Sequence, residues 1–244
     1  MKNYRMTIEY DGSKFYGWQK LNDKRTVQKE IERIFKKITY QNIRVHGSGR
    51  TDKFVHSIGQ VASFEMDLKI PLEKFKYILN KNLADDIFIK NIEEVNKEFH
   101  ARFSAKKKTY RYKIYNSIEK DVFLNNYYYH FPYELDIDKM IEASKKIIGK
   151  KDFRSFVAKS VNKENTIRTI ESITIIKKDS FIDIVIIGDG FLYKMVRTIV
   201  GNLIDVGRGL ITADELEKII NEKDIKKAKF TAPANGLYLE KVEY

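Results

Sequence analysis

The chain opens with alternating hydrophobic and polar residues, and this period of two predicts a first β-strand over residues 4–10. The spacing then changes to that of an amphipathic helix, for which Thr26 is the predicted N-cap. The elements predicted after it are a short strand at 43–45, a strand at 60–66, a helix beginning at Pro71 and a strand at 86–95.

The same alternation of strands and helices restarts at Lys108. The predicted strands are 108–116, 127–131, 168–177, 181–187 and 237–242. The predicted helices are one capped by Asp136 and stopped by Gly149, one over residues 192–206, and one that begins with a capping box at Thr212 and Glu215. This order predicts an α/β (α+β) protein of two similar subdomains, residues 1–104 and 105–244, with mixed, largely antiparallel sheets against helices.

Composition narrows the class of protein. Of the 244 residues 43% are hydrophobic and 33% charged, as in a globular, water-soluble chain. The absence of cysteine excludes disulfides and thiolate chemistry. No apolar run approaches the roughly 20 residues of a membrane span, and the N-terminus lacks a signal-peptide core. These features predict a cytoplasmic protein without a membrane partner.

The net charge of +12 favours a polyanionic partner such as RNA or DNA, although a solvated lysine surface gives the same charge. The 15 tyrosines and 15 phenylalanines strengthen the nucleic-acid interpretation where they interleave with lysines, as in residues 106–113. Lysines bind phosphate while aromatic faces stack on exposed bases, the combination that grips single-stranded or looped RNA. The alternation of Tyr110, Tyr112 and Ile114 is equally typical of an ordinary half-buried strand.

Several other chemistries lack their motif. Gly12 and Gly17 have phosphate-loop spacing, but Trp18 and Gln19 stand where Lys and Ser or Thr should follow. The four histidines show no metal-binding spacing, and no Gly-x-Ser-x-Gly elbow is present. The sequence therefore predicts neither a metal nor a cofactor.

Residues 47–56, which read Gly-Ser-Gly-Arg-Thr-Asp-Lys-Phe-Val-His, place Asp52 two residues after Arg50 in a glycine-punctuated segment. In an extended chain these two side chains would face the same side. A carboxylate beside a guanidinium stays ionised, as a nucleophile or general base requires. The alternative interpretation of the spacing alone is a surface turn with a salt bridge.

This segment resembles the signature of the tRNA pseudouridine synthase A family, in which Gly-Arg-Thr-Asp is followed shortly by Val-His. Further segments agree with that family in the required order: residues 10–19, 99–105 with 110–112, 190–197 and 233–239. The resemblance spans almost the whole chain. It implies the pseudouridine synthase fold, with a basic cleft between two related subdomains.

The resemblance also implies the function: isomerisation of neighbouring uridines on the 3′ side of the tRNA anticodon stem and loop, by a homodimer that needs no cofactor. Asp52 would be the nucleophile, either adding covalently to the nucleoside or abstracting a ribose proton. Tyr110 would stack on the uracil and help remove its C5 proton, and Arg197 would pair with Asp52. Leu237 would form an apolar wall behind the base. Arg50 would bind phosphate, splay the target base or brace the loop.

Position 54 departs from the family pattern, which commonly has glycine or another small residue where this chain has Phe54. A phenylalanine is strained there if the backbone requires positive φ, and otherwise its ring reshapes the mouth of the pocket. This departure motivates one alternative, a paralogue acting on another structured RNA such as ribosomal RNA. Another alternative is a non-catalytic RNA-binding protein, which the presence of Asp52, Tyr110 and Arg197 disfavours.

Overall fold

A computed structural model describes residues 1–157 and 165–244 of the chain. Two compact units are present, one formed by residues 1–106 with 238–244 and the other by residues 107–237. The sequence prediction divided the chain after residue 104 and kept the C-terminal strand with the second half. In the structure that strand is grouped with the N-terminal unit.

The N-terminal unit is a mixed sheet with two helices. Its elements are β1 (Lys2–Tyr10), α1 (Val27–Thr39), β2 (His46–Gly47), β3 (His56–Met66), α2 (Leu72–Asn82), β4 (Ile87–Val95) and, from the end of the chain, β10 (Leu237–Glu243). The strand order is β4-β1-β3-β10, with β2 paired to β3. β1 runs antiparallel to both β3 and β4, whereas β10 runs parallel to β3 with Tyr238 opposite His56.

The core of this unit lies between the sheet and its two helices. The predicted alternation in β1 is confirmed, because Tyr4, Met6, Ile8 and Tyr10 are all buried. Three aromatic rings join the layers: Phe35 of α1, Phe64 of β3 and Phe75 of α2, with centroids 4.9 to 6.5 Å apart. Both helices therefore cover the same face of the sheet.

Within the described residues, the second unit combines a mostly antiparallel sheet with three α-helices. Its elements are β5 (Lys107–Tyr115), β6 (Tyr129–His130), α3 (Ile137–Ile147), β7 (Gly149–Asp152), β8 (Ile167–Lys178), β9 (Phe181–Gly188), α4 (Met195–Gly207) and α5 (Ala213–Glu222). The strand order is β5-β9-β8-β7, with β6 parallel to β5. Both capping predictions are confirmed: the Asp136 carboxylate accepts from Lys139 N–H, and Thr212 with Glu215 forms the capping box of α5. The predicted mixed α/β class is thus confirmed.

Element boundaries differ from the predictions at a few places. The short strand pairs at His46–Gly47 instead of residues 43–45, and β7 was not predicted. α4 begins at Met195 rather than residue 192, because Lys194 has a φ of 62°, which is incompatible with a right-handed helix. Among the helices of the described residues, none has the length and apolar character needed to cross a membrane.

Thr26 is the N-cap residue of α1, as predicted, but its side chain makes no capping hydrogen bond. The first amide groups of the helix are instead satisfied by the backbone, since Val27 N–H donates to Gly17 O (3.2 Å) and Gln28 N–H to Trp18 O (3.1 Å). The Thr26 hydroxyl is fully buried and has no hydrogen-bond partner within residues 1–157 and 165–244. Its burial therefore lowers the stability of the fold.

We expect Thr26→Val to raise the free energy of unfolding by about 1 kcal/mol, because it replaces an unsatisfied buried hydroxyl by a methyl group of similar shape. The extended backbone of Thr26 (φ −134°, ψ 152°) suits a β-branched residue. Urea unfolding measures the change. Thr26→Ser is the matched control, since it keeps the hydroxyl and should be no more stable than the wild type. A less stable Thr26→Val variant would contradict the expectation.

Candidate functional site

Asp52 lies in the loop between β2 and β3, and the residue before it is fixed on two sides. Thr51 O accepts a hydrogen bond from Trp18 N–H (3.2 Å), and the Thr51 hydroxyl lies 2.8 Å from the Tyr10 hydroxyl. Burial raises the pKa of Tyr10, so its phenol stays protonated and available to this bond. The backbone entering Asp52 is therefore held rigidly.

The backbone leaving Asp52 is fixed as well. Val55 N–H donates to Asp52 O (3.2 Å), which closes a turn, and Phe54 N–H donates to Phe15 O (3.1 Å). Phe54 has a φ of 70°, so the strain expected for a phenylalanine at positive φ does apply. The Asp52 side chain is half-buried within this turn.

Glycines allow residues 10–18 to approach the Asp52 loop closely. A Cβ atom at Gly12 would lie within 3.0 Å of the Val55 carbonyl, and one at Gly17 within 3.0 Å of Thr51 O. Gly17 also has a φ of 88°. A Cβ atom at Gly47 would lie 2.5 Å from the Trp18 indole. Gly12 and Gly17, whose spacing resembled a phosphate loop, thus serve close backbone contact.

The segment that holds the loop is itself anchored by Arg25. Its guanidinium makes two hydrogen bonds to the Asp86 carboxylate (2.6 and 2.8 Å) and lies 4.1 Å from the Phe15 ring centroid. Hydrogen bonding to Asp86 raises the pKa of Arg25. Trp18 and Phe15 are 2% and 0% exposed. Both belong to the hydrophobic core beneath the loop.

His56 acts as a brace rather than as a reactive group. Its Nδ1 accepts from Gly12 N–H (3.0 Å), and its ring stacks on Tyr238 with centroids 4.6 Å apart. Asp11 Oδ1 lies 3.2 Å from the same Nδ1. The same Asp11 oxygen also accepts from Ser13 N–H (2.9 Å).

The glycine-rich start of the loop depends on Gln60, a residue that no sequence pattern predicted. The Ser48 hydroxyl donates to Gln60 Oε1 (2.7 Å), and Gln60 Nε2 donates to Gly49 O (3.1 Å). No sequence signal marks Gln60, because its partners lie in another segment. Arg50 follows with an exposed side chain.

The other predicted site residues, Tyr110, Arg197 and Leu237, belong to the second unit. Tyr110 lies on β5 opposite Ile186 and is 8% exposed. The Phe191 ring packs edge-on against it, with centroids 5.1 Å apart and planes at 82°. Phe191 therefore fixes the orientation of the Tyr110 ring.

Arg197 lies in the first turn of α4 and is tied to the segment before β10. Its Nε donates to Ala232 O (2.7 Å), and Ala232 N–H donates back to Arg197 O (3.0 Å). The neighbouring Gly201 permits this approach, since a Cβ atom there would lie within 3.0 Å of the Phe230 carbonyl. The half-buried guanidinium is thus positioned by backbone contacts.

Tyr112 connects Arg197 with the segment that ends at Leu237. Its hydroxyl donates to Pro233 O (2.8 Å), and its ring would lie 2.9 Å from a Cβ atom at Gly236. Burial raises the pKa of Tyr112, and the nearby positive charge of Arg197 partly opposes that shift. Leu237 follows directly and is buried. The second unit therefore brings together β5, the start of α4 and residues 230–237.

Comparisons with known proteins agree on one family. A family model described as tRNA pseudouridine synthase matches residues 6–104 and 143–244. Proteins named tRNA pseudouridine synthase A from Acetivibrio thermocellus, Caldicellulosiruptor saccharolyticus and Finegoldia magna are 44%, 46% and 44% identical to this chain, each over 100% of both sequences. A chain of the solved Cbf5–Nop10–Gar1 complex aligns with 82% of this chain and over 54% of its own length, with a TM-score of 0.36 and 14% sequence identity.

Proposed function

Because the chain belongs to the tRNA pseudouridine synthase family and is an RNA uridine isomerase, we propose that Asp52 supplies its catalytic carboxylate and that it modifies the anticodon stem and loop of tRNA. The observation that carries the proposal is the fixation of the Asp52 loop on both sides of Asp52. A catalytic group must be held in place before the substrate arrives. The Asp52 loop meets this requirement.

The isomerisation exchanges one bond of the uracil for another and moves protons. The bond from uracil N1 to ribose C1′ breaks, the base turns, and a bond from C5 to C1′ forms. The C5 proton leaves and N1 gains a proton, so no electron donor or acceptor takes part. The target base must first leave its stack and enter a pocket. An ionised Asp52 serves either as the nucleophile that adds to the nucleoside or as the base that takes a ribose proton.

The remaining site residues take roles that fit their surroundings. Tyr110, with its ring oriented by Phe191, stacks on the uracil and helps remove the C5 proton. Arg197, positioned by Ala232, keeps Asp52 ionised, because a guanidinium cannot lose its proton under physiological conditions. Leu237 supplies an apolar wall, and the exposed Arg50 contacts phosphate or the displaced base.

The tRNA substrate is favoured over ribosomal RNA because the relatives that match this chain over its full length are named tRNA pseudouridine synthase A. A non-catalytic binding protein is disfavoured, since Asp52, Tyr110 and Arg197 are all present. The protein acts in the cytoplasm and as a homodimer in which both subunits grip the RNA. Sedimentation equilibrium of the purified protein tests the dimer directly.

The experiment that tests the function is tritium release from bulk tRNA labelled at uridine C5, with purified protein and no added metal or nucleotide. Release follows only if the C5 proton is lost to solvent. Mapping of pseudouridine in the product then tests the anticodon target. Release from ribosomal RNA with none from tRNA would overturn the proposed substrate.

Lys106, Lys107 and Lys108 precede Tyr110 and are candidates for phosphate contact. We expect replacing all three by glutamine to weaken tRNA binding and to reduce the slope of log K against log salt by about 2. The expected reduction is smaller than for three full phosphate contacts, since Lys107 is already paired with Glu171 (2.6 Å) and Lys108 is not free of contacts within the protein either. Filter binding over a salt series measures the slope.

The charge-matched control replaces three exposed lysines of α1 and α2, Lys36, Lys74 and Lys81, by glutamine. It removes the same net charge from the molecule without touching β5. An equal loss of slope in the control would show that net charge, not this segment, governs binding.

A further inference from the structure

Two exposed aromatic rings and two lysines form a cluster directly beside Asp52, which we call the aromatic–lysine cluster (Tyr16, Lys24, Lys53 and Phe54). The Lys53 ammonium lies 4.3 Å from the ring centroids of both Tyr16 and Phe54. The Lys24 ammonium lies 5.0 Å from the Tyr16 centroid. Both rings are 40% exposed, so the cluster presents aromatic surface and positive charge to solvent together.

The packing of the fold does not account for this cluster. Phe54 has a φ of 70°, a conformation that is unfavourable for any residue with a Cβ atom and especially for a bulky one. Its ring remains 40% exposed, so the fold gains less from packing it than from a fully buried phenylalanine. Strained residues that persist without a packing reason concentrate at functional sites.

The backbone holds the cluster in a fixed relation to Asp52. Phe54 N–H is bonded to Phe15 O, one residue before Tyr16, so the two ring-bearing segments are tied together. Tyr16 N–H donates to Arg25 O (2.9 Å), which anchors the other side. Lys53 and Phe54 directly follow Asp52, so a nucleotide that presents its ribose to Asp52 brings its neighbour within reach of these side chains.

We propose that the aromatic–lysine cluster binds the nucleotide next to the target uridine, which rests on the proposed function of Asp52. The base of that nucleotide stacks on Phe54 or Tyr16, and Lys53 and Lys24 bind its phosphates. Aromatic faces and ammonium groups are the pair of contacts by which proteins grip unpaired RNA. In the absence of RNA, Lys53 occupies the ring faces that the base would take.

Position 54 is tested first by two replacements in the Asp52→Asn background, where tRNA affinity is measured without turnover. Phe54→Leu removes the aromatic face and retains the backbone strain, and it should weaken binding about tenfold. Phe54→Trp keeps an aromatic face and should bind tRNA with wild-type affinity. Bound tRNA should quench the fluorescence of the new indole, whereas the native Trp18 is buried and should respond little. Phe88→Leu, at an exposed aromatic residue of β4, is the matched control and should bind as the wild type.

Phe54→Gly separates a binding role from a structural one. It relieves the strain of a positive φ, so its melting temperature should exceed that of Phe54→Leu, while its tRNA affinity should be equally low. A residue with a merely structural role would not show higher stability together with weaker binding. Lys53→Gln should reduce the salt slope by about 1.

If Phe54→Leu and Lys53→Gln both bind tRNA with wild-type affinity, the proposed nucleotide site is wrong. This conclusion does not depend on the turnover rate of the native enzyme. Failure of the proposed function is a separate result, because it would appear as absent tritium release in the native protein. The binding assay decides the role of the cluster in either case.

Discussion

Asp52→Asn is expected to lower tritium release from labelled tRNA by a factor on the order of 10⁴ or more, the scale of loss when a key catalytic group is removed. The amide has nearly the shape of the carboxylate but neither its charge nor its basicity. The variant should fold normally, because the contacts that fix the loop are made by the Asp52 backbone and its neighbours. Its affinity for tRNA should equal or slightly exceed that of the wild type, since one negative charge near phosphate is lost.

The matched control for this prediction is Asp85→Asn, which makes the same chemical change at an exposed position. Asp85→Asn should retain full turnover. That result would show that the loss of one surface carboxylate does not by itself reduce activity, whereas the loss of Asp52 does. Near-normal turnover of Asp52→Asn would remove Asp52 from the catalytic role. A loss of both turnover and tRNA binding would instead indicate that the loop had collapsed.

Local signals in the sequence predicted much of the fold. The alternation of β1 fixes which side chains enter the core, and the caps at Asp136 and Thr212 define where α3 and α5 begin. Such features depend on residues within one turn or one strand, so they can be read directly from the chain. The family signature, rather than any of these patterns, selected Asp52 as the candidate for chemistry.

Contacts between distant segments could not be predicted in this way. Thr26 stands at the N-cap position, yet the carbonyl groups of Gly17 and Trp18 arrive from another segment and bond the first helical amides. Gln60 braces the start of the Asp52 loop through its side-chain amide, a role that no period or motif in the sequence marks. The parallel pairing of β10 with β3 likewise joins segments that are far apart in the sequence, with Tyr238 opposite His56.

The close approach at Gly17 leads to the second large expected effect. Gly17→Ala should lower the free energy of unfolding by about 3 kcal/mol, since it combines backbone strain with steric overlap in a close-packed region. The new methyl group would lie within 3.0 Å of Thr51 O, at a φ of 88°. The loop cannot retreat without losing the bond from Trp18 N–H to the same oxygen. Guanidinium unfolding measures the change in stability.

Gly17→Ala should also lower turnover. The loss of turnover should be larger than the fraction of unfolded protein alone would cause. A shift of about 1 Å in the backbone before Asp52 is enough to reduce kcat about 100-fold. Gly209→Ala is the matched control, because Gly209 also has positive φ (73°), but among the described residues no atom lies within 4 Å of the position that its Cβ atom would take. Gly209→Ala should therefore lower the free energy of unfolding only through backbone strain, by about 1 kcal/mol, and should keep full activity. Equal losses of stability in the two variants, with activity retained in both, would mean that close approach at Gly17 does not position Asp52.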